Sequence, residues 1–237
     1  MPMRLLDFFF PNVSLARRAG DRLTEEQQRQ LRSTPVILEE PQLRRLELRF
    51  LDRVVAAARY HEGSLLKDAL HAYKYDRVRW LGEELGSLLT EASFLVAPGV
   101  DAPWCLPEAA PVLCPVPLHW TRLFNRGFNQ AKELAEILGR ARGWETRHLV
   151  RRIRPTGHQA WRKREERKVA VRDAFSYRYG SVFSFSLLNT ERKTKNVPQR
   201  IILIDDIATT GATLNACAKV LKQAGVGRVE ALVVAHG

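Results

Sequence analysis

Residues 200 to 221 read RIILIDDIATTGATLNACAKVL. Two adjacent carboxylates, Asp205 and Asp206, close an aliphatic run, and three threonines and a glycine follow before residue 214. A helix starting near Gly211 would present the free N–H groups of its first turn and the positive end of its dipole. Thr209, Thr210 and Thr213 add hydroxyl donors, and a glycine turn lets the backbone approach a ligand closely. That set suits one phosphate group. The carboxylates cannot bind phosphate. They suit hydrogen bonds from vicinal sugar hydroxyls, or a hydrated Mg²⁺. The stretch therefore reads as a site for a ribose 5-phosphate unit. A P-loop would need GxxxxGK[ST], for which Lys219 is misplaced, and the dinucleotide pattern GxGxxG is absent. Reading Asp206 as a plain helix cap leaves the second acid and the threonines unexplained.

The elements that would position this stretch can be read from periodicity. QRIILIDD is the clearest strand, GATLNACAKVLKQAG a helix and RVEALVVAHG a final strand. Upstream, DRVVAAARYHEG (52–63) reads as a strand. SLLKDALHAYKY (64–75) has helical spacing, with Leu65, Leu66, Ala69, Leu70 and Tyr73 on one face. DRVRWLGEELGSLLTEASFL gives a second helix. PVLCPVPLHW is a short apolar run closed by prolines, as expected of a buried strand. NQAKELAEILGRARG is an amphipathic helix ending near glycine, and RHLVRRI the next strand. Alternating strands and helices, with near-continuous apolar strands, imply an α/β fold: a doubly wound, mostly parallel sheet. Ligands of such sheets sit off the C-terminal ends of the strands, where the two aspartates lie. Residues 1–50, Arg- and Glu-rich, are expected to form a small N-terminal helical appendage, and 51–237 the main domain. LTEEQQRQLRSTP looks like a short helix capped by Thr24, with Gln27 at the capping-box position.

Hydrophobic residues make up 45% of the 237, enough for a real core. No apolar run approaches the roughly 20 residues of a membrane span, and MPMRLLDFFFPNV lacks the form of a signal peptide, so a cytoplasmic protein without membrane insertion is expected. Cys105, Cys114 and Cys217 form no CxxC pair, which fits a reducing compartment and leaves no cysteine cluster for a metal. The net charge of +12 suggests a polyanionic partner such as nucleic acid, a phosphorylated small molecule, or both.

The order of aliphatic strand, DD, two residues and TTGAT is similar to the phosphoribosyl pyrophosphate (PRPP) motif of type I phosphoribosyltransferases. The resemblance implies that Asp205 and Asp206 hold the ribose hydroxyls, with Mg²⁺ nearby, and that Ala208, Thr209, Thr210, Gly211, Ala212 and Thr213 hold the 5-phosphate. PVPLHWTRLFNRGFNQAKELA (115–135) resembles the segment typical of ComF-type proteins, phosphoribosyltransferase-like factors linked to natural competence and DNA uptake. LHAYKYDR around Lys74 and HQAWRKREERKVAVRDAF resemble further stretches of that family. The likeness spans roughly residues 52–237 and implies a fold of the type I phosphoribosyltransferase kind. It implies PRPP as ligand, Mg²⁺-dependent chemistry at ribose C1, and a helicase-type competence ATPase as partner. ComF proteins usually carry two zinc-binding CxxC pairs near the N-terminus. Here the matching positions read SLAR, with Ser14 and Arg17, and TEEQ, with Thr24 and Gln27, so no zinc is expected. A zinc site worth about 10–16 kcal/mol of folding free energy would have to be replaced by packing, with Phe8, Phe9 and Phe10 as anchors.

Pyrophosphate needs donors. The backbone of PVPLHWTR near Leu118 could wrap it, with Lys74, His119 and Arg122 as side-chain donors. Arg126 is either a donor or a residue that orients the loop by pairing with a carboxylate. For Asn129 and Gln130 helix capping competes with a site role. In type I phosphoribosyltransferases a mobile loop closes over the pyrophosphate, and the basic stretch 147–172 would supply it; Arg164 and Lys168 are the residues expected to meet the leaving group. The same stretch could track single-stranded DNA with Trp161 stacking on a base, or simply be a solvated helix face. Two functions thus remain open: a phosphoribosyltransferase of unknown acceptor, and a non-catalytic, single-stranded-DNA-binding competence factor with PRPP as regulatory ligand.

Overall fold

The computed structural model describes residues 23–76, 78–96, 110–118, 120–154, 174–178 and 197–237. In chain order the elements are α1 (Glu25–Leu31), β1 (Val36–Leu38), α2 (Glu40–Arg45), β2 (Arg53–Arg59), α3 (Leu65–Tyr75), α4 (Leu81–Val96), β3 (Val112–Pro115), α5 (Trp120–Arg126), α6 (Gln130–Arg142), β4 (Val150–Arg152), β5 (Phe175–Tyr177), β6 (Arg200–Ala208), α7 (Ala212–Gln223) and β7 (Arg228–His236). The central sheet has the order β1-β2-β7-β6-β3. β2, β7, β6 and β3 run parallel, and β1 adds antiparallel to β2.

Each parallel strand alternates its side chains between two apolar layers, as the two-residue period of a strand requires. On the first face Val54, Ile201, Leu203 and Val229 meet α2, α7 and the β4–β5 pair. On the second face Val55, Ile202, Ile204 and Leu232 meet α1, α3, α4 and α6. The expected doubly wound α/β architecture is the one observed. Between β3 and β6 the chain passes through α6 on the second face and the β4–β5 pair on the first, and it leaves β6 through α7 on the first. The C-terminal ends of the parallel strands are the usual place for a ligand in such a sheet.

Local chemistry explains the helices. The Thr24 side chain accepts from the Gln27 N–H while the Gln27 side chain accepts from the Thr24 N–H, so the capping box expected from LTEEQ is present. Ser64 caps α3 by accepting from Lys67 N–H at 3.3 Å. The buried face of α3 carries Leu66, Ala69, Leu70 and Tyr73. Gly143, at φ 66°, ends α6 in a left-handed C-cap. Gly86 lets α4 and α6 touch, since a Cβ there would fall 2.5 Å from Ile137 Cγ2.

Two features depart from the sequence reading. β1 is an additional strand: it pairs Val36 with Ala56 and Leu38 with Val54, while Leu43 and Leu48 enter the first-face core. RHLVRRI does supply a strand, but outside the central sheet. β4 pairs antiparallel with β5 in a separate two-stranded sheet. The reason is its alternation: Val150 is buried and Arg151 exposed, and a central parallel strand has no solvent face for an arginine. Phe8, Phe9, Phe10, Ser14, Arg17 and most of the 176–197 insert lie outside the described residues.

At the N-terminal ends of the two central strands, Arg200 Nε donates to Glu230 Oε2 at 2.7 Å, and Arg228 Nη2 to Glu230 Oε1 at 3.0 Å. Arg200 Nη2 also donates to the Val96 carbonyl at 2.9 Å, tying α4 to β6. Glu230 is fully buried and Arg200 is 9% exposed. Breaking one side of a buried ion pair strands the other charge. Glu230→Gln is expected to lower stability by about 3 kcal/mol, seen as a fall in the urea midpoint at unchanged m-value.

Candidate functional site

Asp205 and Asp206 are consecutive residues of a strand, so their side chains leave on opposite faces. Asp206 takes the second face, where its Oδ1 lies 2.9 Å from Lys74 Nζ; the two side chains are 9% and 14% exposed. The helical spacing that buries Leu70 and Tyr73 also places Lys74 at the end of α3, over the strand. Asp205 is directed the other way, toward Cys217 of α7, and its Oδ1 accepts the Asp206 backbone N–H at 2.9 Å. Burial, and then the neighbouring Asp206 charge, push the Asp205 pKa up to about 7, against the opposing pull of that hydrogen bond, Lys74 and Arg126.

The phosphate-type turn follows directly. The Gly237 N–H donates to the Ala208 carbonyl at 3.1 Å, fixing the end of β6. Thr209 is exposed and Thr210 half-buried; Thr210 Oγ1 accepts from the Ala212 N–H at 3.4 Å. Gly211 is the N-cap of α7 and sits at φ 67°, a left-handed conformation that favours glycine. A second constraint fixes it as well: a Cβ at Gly211 would lie 2.6 Å from Leu48 Cδ1. The turn is thus pressed from behind by the segment after α2. The N–H groups of Thr213 and Leu214 fall in the open first turn of α7, whose positive dipole end faces the same way.

Around the acid pair α3, α5 and α6 add a group of polar side chains. Arg126 stacks over the Tyr75 ring, 5.2 Å from its centroid, and donates to Gln130 Oε1 at 3.2 Å. Asn129 is the N-cap of α6 without capping it; its Nδ2 donates to the Val116 carbonyl at 3.2 Å. Gln130 is 1% exposed and holds Arg126, so the competing capping explanation fails for both residues. Tyr73 is fully buried, with its hydroxyl beside the Glu133 carboxylate. Burial, with the nearby Glu133 and Asp206 carboxylates, pushes its pKa up, so the phenol stays a donor. Phe128 packs edge-on to Tyr73 at 5.2 Å and carries Arg79 over its own ring at 5.1 Å.

The expected site residues Lys74, Asp205, Asp206, Ala208, Thr209, Thr210, Gly211, Ala212 and Thr213 all lie at or beside the C-terminal end of β6. Leu118 is half-buried in the segment after β3, whose ladder continues through the Val116 N–H to the Ile204 carbonyl at 2.9 Å. Arg122 lies on α5, with its side chain outside the described residues, and His119, Arg164 and Lys168 lie outside them entirely. Tyr75 and Leu48 were not expected at the site, whereas Gln130 was expected there or as a helix cap. Nothing local marks Leu48. Among the described residues no cluster of three or more His, Cys, Asp or Glu could hold a metal, and no helix is long and apolar enough to cross a membrane.

The raised Asp205 pKa carries a pH signature. Between about pH 4 and 7 folded Asp205 holds a proton that the unfolded chain has released. Its contribution to stability is full below the unfolded carboxyl pKa and is lost as pH rises through 7. Asp205→Asn is expected to flatten that decline, read as a smaller fall in urea midpoint from pH 5 to 7 than in the unsubstituted protein.

No family model matches the chain. Competence protein F of Haemophilus influenzae is 28% identical over 185 residues, covering 76% of this chain and 70% of that protein. Competence protein ComFC of Streptococcus pneumoniae is 36% identical over 115 residues, 48% of this chain and 43% of that protein. Competence protein ComFC of Bacillus subtilis is 36% identical over 119 residues, 50% of this chain and 41% of that protein. The chain thus spans less than half the length of the two ComFC proteins. The chain is thus similar to three competence proteins of the F and FC kind, at 28–36% identity over 48–76% of its length.

Proposed function

We propose that this protein binds PRPP at the end of β6, that it supports Mg²⁺-dependent transfer or exchange at ribose C1, and that it serves DNA uptake. The observation that carries the binding reading is the junction of β6 and α7. A left-handed glycine N-cap opens the first turn of a helix immediately after two carboxylates. The turn from Ala208 to Thr213 would take the 5-phosphate, and Asp205 and Asp206 the ribose hydroxyls. The diphosphate would extend toward Lys74 and the segment holding Leu118, His119 and Arg122, with Arg164 and Lys168 closing on it. The link to competence rests on the names of the three relatives.

A magnesium ion would be held by Asp205 together with the oxygens of the bound diphosphate, since this ion is usually bound by one or two carboxylates plus substrate phosphates. A carboxylate pushed up toward neutral pH by burial gains from a cation beside its ionised form, and Asp205 is the acid not already matched by lysine. When bound, Mg²⁺ would neutralise diphosphate charge and favour its departure. The chain's own contribution is to fix charges in advance. Lys74 holds Asp206, and Arg126 is locked between Tyr75 and Gln130. Preorganised groups of this kind need no reorientation when charge develops.

Calorimetry with PRPP and Mg²⁺ tests the binding step. The Asp205→Ala, Asp206→Ala double variant is expected to raise Kd by more than about tenfold; an unchanged affinity overturns the site. Exchange of labelled pyrophosphate into PRPP, with candidate bases as acceptors, tests turnover. Exchange that falls in Arg164→Ala and Lys168→Ala supports transfer. Tight PRPP binding without exchange favours the second reading, a regulatory PRPP site on a single-stranded-DNA-binding factor that acts with a helicase-type ATPase. The net charge of +12 favours that reading, and its DNA affinity would fall steeply with salt.

A further inference from the structure

A cavity of about 490 Å³ lies behind the phosphate-type turn, on the first face, between the segment that follows α2 and the outer side of α7. One wall is Leu46, Leu48 and Phe50; the other is Ala212, Ala216 and the Asn215 side chain. Thr210 closes the end next to the turn, and Arg49 and Lys219 stand at the cavity with it. Neither cation has an acidic partner among the described residues, whereas Lys222, one turn further on, pairs with Asp52 at 2.7 Å. The cavity is a built feature. α2 ends with the Leu48 N–H on the Leu43 carbonyl at 2.8 Å and the Glu47 N–H on the Arg44 carbonyl at 3.0 Å. That pattern is a Schellman cap, with Glu47 in the left-handed position at φ 61° where glycine is usual. The Phe50 N–H then donates to Asn215 Oδ1 at 3.0 Å, pinning the segment to α7.

The volume falls in the range of sites for small organic ligands, which pair apolar walls with a few polar groups. Here the walls are aliphatic with one aromatic ring, and the polar groups are two cations, a hydroxyl, an amide and the single carboxylate of Glu47, which leaves the lining with a net positive charge. We propose that this cavity is a second ligand site, distinct from the acid pair, which takes a small organic anion: a flat or apolar body between Phe50 and Ala216 with a phosphate or carboxylate against Arg49 and Lys219. It does not depend on the PRPP reading. Asp206 and Lys74 lie on the other face of the sheet, so the cavity is not where a diphosphate held by Lys74 would go. It does share Thr210 and Ala212 with the turn, and Leu48 touches both. A ligand seated there would press on the Leu48–Gly211 contact, so occupancy would be felt at the phosphate turn.

The test is an amide-resolved NMR titration of the full chain with phenyl phosphate, with benzoate, and with inorganic phosphate as the anion without a body. Phenyl phosphate or benzoate is expected to shift the amides of Phe50, Ala216 and Lys219. Response to both organic anions identifies the charge as the requirement; response to one selects phosphate or carboxylate. The Arg49→Glu, Lys219→Glu double variant, with exposed or half-exposed side chains and an expected unchanged melting curve, should weaken that binding about tenfold or more. Shifts confined to residues 209–214, equal binding of inorganic phosphate, or an unchanged affinity in the folded double variant overturn the proposal. PRPP calorimetry on the same samples separates the two sites. If PRPP fails to bind the unsubstituted protein while phenyl phosphate still shifts Phe50 and Ala216, the PRPP reading falls and this one stands.

Discussion

Consecutive residues of a β-strand cannot share a face, and that constraint organises the whole site. Two adjacent acids in a loop would repel across a few ångströms. In β6 they are sent to separate layers, and each acquires its own environment. Asp206 meets a lysine delivered by α3. Asp205 meets α7 and the backbone N–H of its neighbour. One acid is matched and the other is left with its charge under strain. A pair that looks redundant in the chain therefore has two different electrostatic characters at one strand end.

The layers on either side serve that division. On the second face, the stripe that buries Leu66, Leu70 and Tyr73 also fixes where Lys74 emerges, and the start of α6 brings Gln130 under Arg126. On the first face, the segment after α2 leans Leu48 against Gly211. The turn geometry thus rests on two separate conditions, a residue without a side chain and a leucine that occupies the vacated space.

Much of this was legible in the chain. The apolar strand running into DD and TTGAT identified the strand end, the turn and the helix start, because each depends on local chemistry. The Thr24 capping box and the buried face of α3 were readable for the same reason. What could not be read depends on distant pairing. Val36–Leu38 is a three-residue strand only because β2 offers an edge to it. Val150–Arg152 has strand character, yet its alternation directs it to a separate pair with β5. Leu48 and Tyr75 look like ordinary loop and helix-end residues until the fold sets them at the strand end.

The order of the central sheet also constrains how the chain can fold. β7 and β6 fill the middle, between β2 and β3, although both follow them in sequence. The first link at the base of the sheet, from the Val229 N–H to Asp52, joins residues 177 apart. Until those late strands arrive, the inner edges of β2 and β3 have no partners. Contacts at such separation carry a large loop-closure cost and slow folding, and unpaired strand edges invite association with other chains while they wait. The acids at the end of β6 are therefore brought to their partners late, and the site exists only once the middle of the sheet has closed.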